Sequence, residues 1–352
     1  MEPREHERQW CGGLSGELAL RQGASVRDGR RCGPVITDVT LREFGQNVPS
    51  SFLRVFSPQF RINLALKLID LGFRNLEVLS CVHPRIAPAM AEETIRMIAR
   101  GIGRVDHVNV ITLVPNRAGY KTFLSAGLGP DEYHHSLGIF FSAVEAHNRL
   151  NLGRTIEDTL EDYKVIVRDA FTRKIRIAAY VSAAFGYRSG PQAEIIRPSV
   201  RALGAYIERL LDMGAATVTL SDLQGVAGEN ETRSVLERLL KGCSKEIVDR
   251  LGYHPHHVHG EKAVANSWAA YEVGLRRFDA SLGGTGGCVT RAPGNQPTEA
   301  LAAFFEDRGI PTGLDLEGIQ RLVSFVQEAL YRKSNFKPFS DGQVPPTNGR
   351  FL

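Results

Sequence analysis

The sequence predicts a closed (β/α)8 barrel. From Pro34 onward, short apolar runs alternate strictly with longer helix-like segments. The runs are apolar throughout, as strands covered on both faces by crossover helices are. Eight such units lie between Pro34 and Glu306, close to the roughly 250 residues of a typical barrel. An open doubly wound sheet is the alternative. No Gly-x-Gly-x-x-Gly follows the first strand, which counts against a dinucleotide-binding sheet.

Val35–Asp38 reads as the first strand, and Pro58–Leu71 as a helix stopped by Gly72. Leu76–Leu79 is a strand, followed by a helix over Ala87–Arg100 that ends at Gly101. The β-branched run His107–Val114 is a strand leading to a helix at Arg117–Ser125. Ser136–Phe141 is next, then Thr155–Phe171, where Thr155 and Asp158 have the spacing of a capping box. Ile175–Val181 precedes a helix over Ile195–Met213 with Gly214 at its end. Thr217–Leu220 precedes a helix at Glu231–Leu240. A histidine-rich strand end at Tyr253–Gly260 runs into a helix over Glu261–Val273. The last unit is Phe278–Ser281 with a helix from Thr298 to Glu306.

Residues 1–33 are expected to be a disordered tail, rich in Arg, Glu and Gly without apolar period; Glu2, Glu5, Glu7 and Glu17 spoil the acid-poor pattern of a transit peptide. Residues 34–313 form the barrel, and 314–352 a C-terminal extension with an amphipathic helix, Leu316–Tyr331, and a Pro/Gly-rich end. Hydrophobic residues make up 43% and charged residues 23%, which supports a globular core. A net charge of +4, from 43 basic and 39 acidic residues with no basic stripe, argues against nucleic-acid binding. No apolar run reaches the ~20 residues of a membrane span. The five cysteines, Cys11, Cys32, Cys81, Cys243 and Cys288, form no Cys-x-x-Cys pair, so a reduced cytoplasmic setting with free thiols is expected.

Chemistry in such a barrel collects where strands run into the following loops. Strand one leads to Arg42 and Glu43, and strand two carries Glu77 with Ser80 and His83 beyond it. Strand four leads to Ser142, Glu145, His147 and Asn148; strand five to Ser182; strand six to Ser221 and Asp222. Strand eight leads into Gly283-Gly-Thr-Gly-Gly-Cys288 and then Asn295. Most informative are His254, His256, His257 and His259. Residues two apart in a strand point the same way, so a His-x-His pair aims two imidazoles at one point. The pair suits a divalent metal, or it is a solvated polar strand end. Glu43, His257, His259 and Asn295 offer O, N, N and O, a set suited to Mg2+ or Mn2+, with Zn2+ or Co2+ as alternatives.

Four stretches together resemble the hydroxymethylglutaryl-CoA lyase family of metal-dependent barrel lyases and Claisen synthases. They are Asp38-Val-Thr-Leu-Arg-Glu-Phe-Gly-Gln46, Leu76-Glu-Val-Leu-Ser-Cys-Val-His-Pro84, His257-Val-His-Gly-Glu-Lys-Ala-Val-Ala-Asn266, and Gly283–Cys288 continued by Ala292–Glu299. The resemblance implies that Arg42 neutralises a developing thioester enolate, that Glu77 sits near the reacting centre, and that Cys288 moves a proton. Glu43 falls where the lyases place an aspartate ligand and the homocitrate synthases a glutamate. His257, His259 and Asn295 complete the implied ligand set. His254 and His256 are the other possible pair; the later register is favoured because it turns Val258 toward the helical layer.

Retro-Claisen cleavage of a 3-hydroxyacyl thioester needs a base for the hydroxyl, positive charge for the enolate and an acid for its carbon. Arg42 supplies charge, His257, Glu77 or Asp222 the base, and Cys288, with a thiol near pKa ~8.5, the acid. The implied activity is divalent-metal-dependent cleavage of a 3-hydroxy-3-methylglutaryl-CoA-like thioester to acetyl-CoA and a 3-oxo acid, by a homodimer. The alternatives are Claisen condensation of an acyl-CoA with a 2-oxo acid, and a catalytically silent barrel that binds a partner.

Overall fold

The computed structural model describes residues 33–47, 53–190, 192–257, 259–286 and 294–331. Eight parallel strands close in sequence order: β1 (Val35–Asp38), β2 (Asn75–Ser80), β3 (Asn109–Leu113), β4 (Ser136–Ser142), β5 (Ile177–Ser182), β6 (Thr217–Asp222), β7 (Leu251–Pro255) and β8 (Arg277–Ala280). Asp38 on β1 lies opposite Ala280 on β8, which closes the ring. The helices are α1 (Thr40–Asn47), α2 (Pro58–Asp70), α3 (Glu92–Ile102), α4 (Arg117–Ser125), α5 (Glu145–Leu152), α6 (Ile156–Thr172), α7 (Val200–Met213), α8 (Glu229–Leu240), α9 (Lys245–Asp249), α10 (Gly260–Val273), α11 (Thr298–Glu306) and α12 (Leu316–Tyr331). The expected tail falls largely on residues 1–32, and the Pro/Gly-rich end on 332–352, both outside the described residues.

Local chemistry sets the helix starts. Ser57 accepts the Phe60 amide before Pro58, and Thr155 accepts the Asp158 amide at 2.9 Å, as the capping spacing predicts. The expected helix from Ile195 begins only at Val200. Pro198 disfavours helical geometry at Arg197, and Ser199 then caps the true start through the Ala202 amide. Pro88 likewise splits the expected Ala87–Arg100 helix into a short 3-10 turn, Pro88–Met90, and α3. Short helices α1, α5 and α9 lie in segments expected as loops.

The strand expected to run through His259 ends at Pro255. The loop after β6 closes against it, because the His256 amide donates to the Asp222 carbonyl. Gly225 allows that approach: its φ is +60°, and a Cβ there would stand 2.4 Å from the His256 carbonyl oxygen.

The apolar core lies mainly between sheet and helices. Tyr253 of β7 turns into this layer, edge-on to Phe185 with ring centroids 5.2 Å apart. The barrel interior is mixed, with Ile111, Leu113, Ala178 and Tyr180 forming a separate apolar cluster beside buried polar groups. Cys81 is a buried free thiol; Cys243, expected reduced, is disulfide-bonded, and it is half-buried in the turn after α8, where a sulfur is far more reachable. Among the described residues no helix is long and apolar enough to cross a membrane.

α10, α11 and β8 meet in an aromatic cluster. Phe305 is fully buried against Tyr271, Phe278 and Trp268, at centroid distances of 5.0, 5.9 and 6.1 Å. Phe305→Ala should therefore cost about 3–5 kcal/mol of unfolding free energy, read from urea denaturation. A loss below ~1 kcal/mol would mean that this layer does not hold β8 in the barrel.

Candidate active site and metal centre

β1 delivers the first half of the site through α1. Thr40 ties the turn down: its hydroxyl donates to Asp38 Oδ2 at 2.9 Å and accepts the Leu282 amide at 2.8 Å. Arg42 and Glu43 follow on the inner side of α1, both buried. The Arg42 guanidinium bridges two carboxylates. It contacts Glu43 Oε1, and its Nε donates to Glu77 Oε2 at 2.6 Å. Burial works against the Arg42 charge, but Glu43 and Glu77 outweigh it and hold the guanidinium above its ordinary range. Burial also pushes the Glu77 carboxyl upward, against the pull of Arg42.

β7 delivers the second half. His254 and His256 lie two residues apart, both buried, with their Nε2 atoms 2.9 Å from each other. Behind His254, Nδ1 meets Asp279 Oδ2 of β8 at 3.0 Å. That contact suits an Nδ1–H tautomer, which turns the Nε2 lone pair toward His256. Ligand atoms of Glu43, His254 and His256 all lie within 4.8 Å of one another.

Asn295 stands beside this group. It bridges to His256, and its Nδ2 donates to the Thr285 carbonyl at 2.9 Å. The amide is thereby oriented, and its buried Oδ1 is left without a hydrogen-bond partner. A Cβ added at Gly286 would touch both Glu43 Cβ, at 2.5 Å, and Asn295 Nδ2, at 3.0 Å, so the loop start packs over both residues.

These residues fit a divalent cation. Two imidazole nitrogens face each other, a buried amide oxygen lacks a donor, and Glu43, Glu77 and Asp279, when ionised, exceed Arg42 by two negative charges in a dry interior. Glu43, His254, His256 and Asn295 would hold it, leaving positions open toward a cavity of about 210 Å3.

The structure departs from the expected ligand pair. His257 and His259 stand outside the cavity, partly and largely exposed, with the His259 amide donating to His257 Nδ1 at 2.8 Å. Strand alternation explains the shift. Tyr253 takes the outward place assigned to Val258, so the inward pair falls three residues earlier. Burial lowers the His257 pKa, but nothing brings its ring to the other site residues.

Asp222 is also placed differently from the expected base. It is fully buried, and its two carboxylate oxygens accept the Val226 and Ala227 amides at 3.0 and 2.9 Å. It shapes the loop that supports β7, and burial raises its pKa to about 6. Cys288 lies outside the described residues.

Two neighbours went unrecognised in the sequence. Tyr180 lines the cavity two residues before Ser182; burial and the nearby Glu77 and Asp279 charges hold its hydroxyl well above the ordinary range. Asp279 orients His254. An acid inside an apolar strand, and the period-two relation of Tyr180 to Ser182, were the available signals.

An HMGL-like family model matches residues 34–326. The (R)-citramalyl-CoA lyase of Chloroflexus aurantiacus is 32% identical over 311 residues, covering 84% of this chain and 91% of that protein. The hydroxymethylglutaryl-CoA lyase YngG of Bacillus subtilis is 29% identical over 307 residues, covering 84% and 95%. An HMG-CoA lyase from Acinetobacter baumannii, solved with coenzyme A and 3-methylmalate, superposes with a TM-score of 0.73 at 28% identity, over 89% of this chain and 98% of that one. The match takes in every strand of the barrel and all the residues gathered around Arg42, so the chain belongs to the HMGL-like family.

Proposed function

We propose that this chain is a divalent-cation-dependent lyase that cleaves a 3-hydroxyacyl-CoA thioester by retro-Claisen chemistry, with 3-hydroxy-3-methylglutaryl-CoA the first substrate to test. The observation that carries this reading is the buried Glu43–Arg42–Glu77 bridge set against His254, His256 and Asn295. The lyases among its relatives, one of which was solved with coenzyme A, support it.

A bound cation supplies Lewis acidity, lowering the pKa of the substrate hydroxyl and fixing the acyl chain. The residues do the rest. Arg42, locked by two carboxylates, presents fixed positive charge where the thioester oxygen gains charge, an interaction typically worth about 3–4 kcal/mol. Glu77 fixes that guanidinium, and its Oε1 has no partner and is an acceptor for the hydroxyl proton. The carbon–carbon electrons pass to the thioester enolate, the oxo acid departs, and Cys288 returns a proton to the enolate carbon.

Glu43 also favours a second reading, because the condensing homocitrate synthases place glutamate at that position. Condensation runs the same chemistry backwards on an acyl-CoA and a 2-oxo acid. Purified protein with Mn2+ should form acetyl-CoA from 3-hydroxy-3-methylglutaryl-CoA or citramalyl-CoA. Free thiol appearing only with acetyl-CoA plus 2-oxo acids would replace the lyase reading by the synthase one.

Alanine at His254 or His256 should lower Mn2+ affinity more than 10-fold in a titration, whereas His257→Ala and His259→Ala should leave it within about 2-fold. The reverse pattern would restore the later pair. Glu77→Gln should lower kcat roughly 100-fold, because it loosens Arg42 and removes the acceptor for the hydroxyl proton, with little change in Mn2+ affinity. An unchanged kcat removes Glu77 from the site. Cys288→Ala should slow cleavage roughly 100-fold with Mn2+ binding intact, and unaltered turnover would take the thiol out of the reaction.

A further inference from the structure

His147 sits in the wall of the same cavity but across the barrel mouth from the metal-binding residues. It belongs to α5, which follows β4, whereas Glu43 follows β1 and the paired histidines end β7. It is fully buried, and neither ring nitrogen has a hydrogen-bond partner. Buried polar side chains rarely go unpaired, and an imidazole leaves two positions to satisfy.

Its neighbours on α5 are fully tied. Asn148 Oδ1 accepts the Ser142 amide at 2.9 Å, and its Nδ2 donates to the Arg154 carbonyl and to Thr159 Oγ1, both at 3.0 Å. Glu145 accepts the Ile156 amide at 3.0 Å. The His147 ring is held against Tyr187, with centroids 4.6 Å apart. Tyr187 packs in turn with Val144 and Ala183, and Ala183 adopts a positive φ of 53°, an uncommon conformation for a residue with a side chain. Among the described residues of α5, His147 is the buried side chain whose polar atoms have no hydrogen-bond partner, and it lies on the cavity wall. Burial lowers the His147 pKa to about 4, so near neutral pH the ring is an uncharged donor and acceptor.

We propose that His147 is a specificity-determining residue that hydrogen-bonds a polar substituent of the acyl chain, at the end of the cavity opposite Glu43, His254 and His256. The preferred thioester then carries a hydroxyl or similar group where 3-hydroxy-3-methylglutaryl-CoA carries a methyl. This rests on the hydroxyacyl-thioester reading above. A substrate lacking the group leaves the buried imidazole unsatisfied, a strong basis for rejection.

The test compares 3-hydroxy-3-methylglutaryl-CoA with its 3-hydroxymethyl counterpart, by kcat/KM with Mn2+ and by equilibrium binding, in wild type, His147→Phe, His147→Leu and His147→Gln. Wild type should favour the hydroxymethyl compound roughly 10-fold or more. The Phe variant should lose that preference by weakening on the polar compound alone, the Gln variant should keep most of it, and the Phe melting temperature should not fall. Equal losses on both compounds, an absent wild-type preference, or unfolding of both apolar variants would overturn the proposal. If wild type binds the thioesters but cleaves neither, the lyase reading fails while the binding ratio still decides the role of His147; binding of neither overturns both.

Discussion

The site depends on one guanidinium held between two buried carboxylates. Arg42 is consecutive in sequence with Glu43 and far from Glu77, so the bridge joins α1 to β2 and fixes the rim of the barrel where the strand ends meet. In a dry interior such a trio is costly unless every charge is answered. The carboxylates answer Arg42, and the residual negative charge is what a cation between Glu43 and the two histidines would neutralise. In the proposed mechanism the same arrangement holds Arg42 for charge stabilisation and fits a cation beside it.

The barrel contributes position. β7 sets its two histidines inward because Tyr253, between the glycine-containing start of the strand and His254, fills the outer layer. β8 adds Asp279 behind His254, and the segment after it returns Asn295 alongside His256. Stretches distant in sequence thus supply one pocket, and three of them are anchored by neighbouring groups: Thr40 under α1, Asp222 under β7, Thr285 under Asn295. Opposite them, α5 is anchored through Glu145 and Asn148 and sets His147, buried and without a hydrogen-bond partner, in the cavity wall. On the proposed readings, chemistry and selectivity fall on different walls of one cleft.

Much of this was legible in the chain. Alternating buried strands and capped helices determined the barrel, because a parallel sheet must be covered on both faces and only crossover helices cover it. Arg42, Glu43, Glu77 and Asn295 were legible because they fall at strand ends or in loops that the barrel gathers on one rim. The histidine pair was not. Four histidines in six residues satisfy two inward registers, and choosing between them requires knowing where β7 stops. That point is set by the Gly225 loop of β6 pressing on His256, a contact no local pattern in the β7 segment records. Asp222 misled for a related reason: an acid at a strand end has the same residue type whether it faces substrate or two backbone amides.

The sequence by itself determined the layered barrel, the rim and the cast of polar side chains, since periodicity, caps and breakers act over a few residues. Only the tertiary structure decided which imidazoles converge, which carboxylates are spent on backbone or on Arg42, and that His147 is left unpaired inside the cleft. Those outcomes turn on register and burial between segments far apart in the chain, where a displacement of one residue reverses the direction of a side chain.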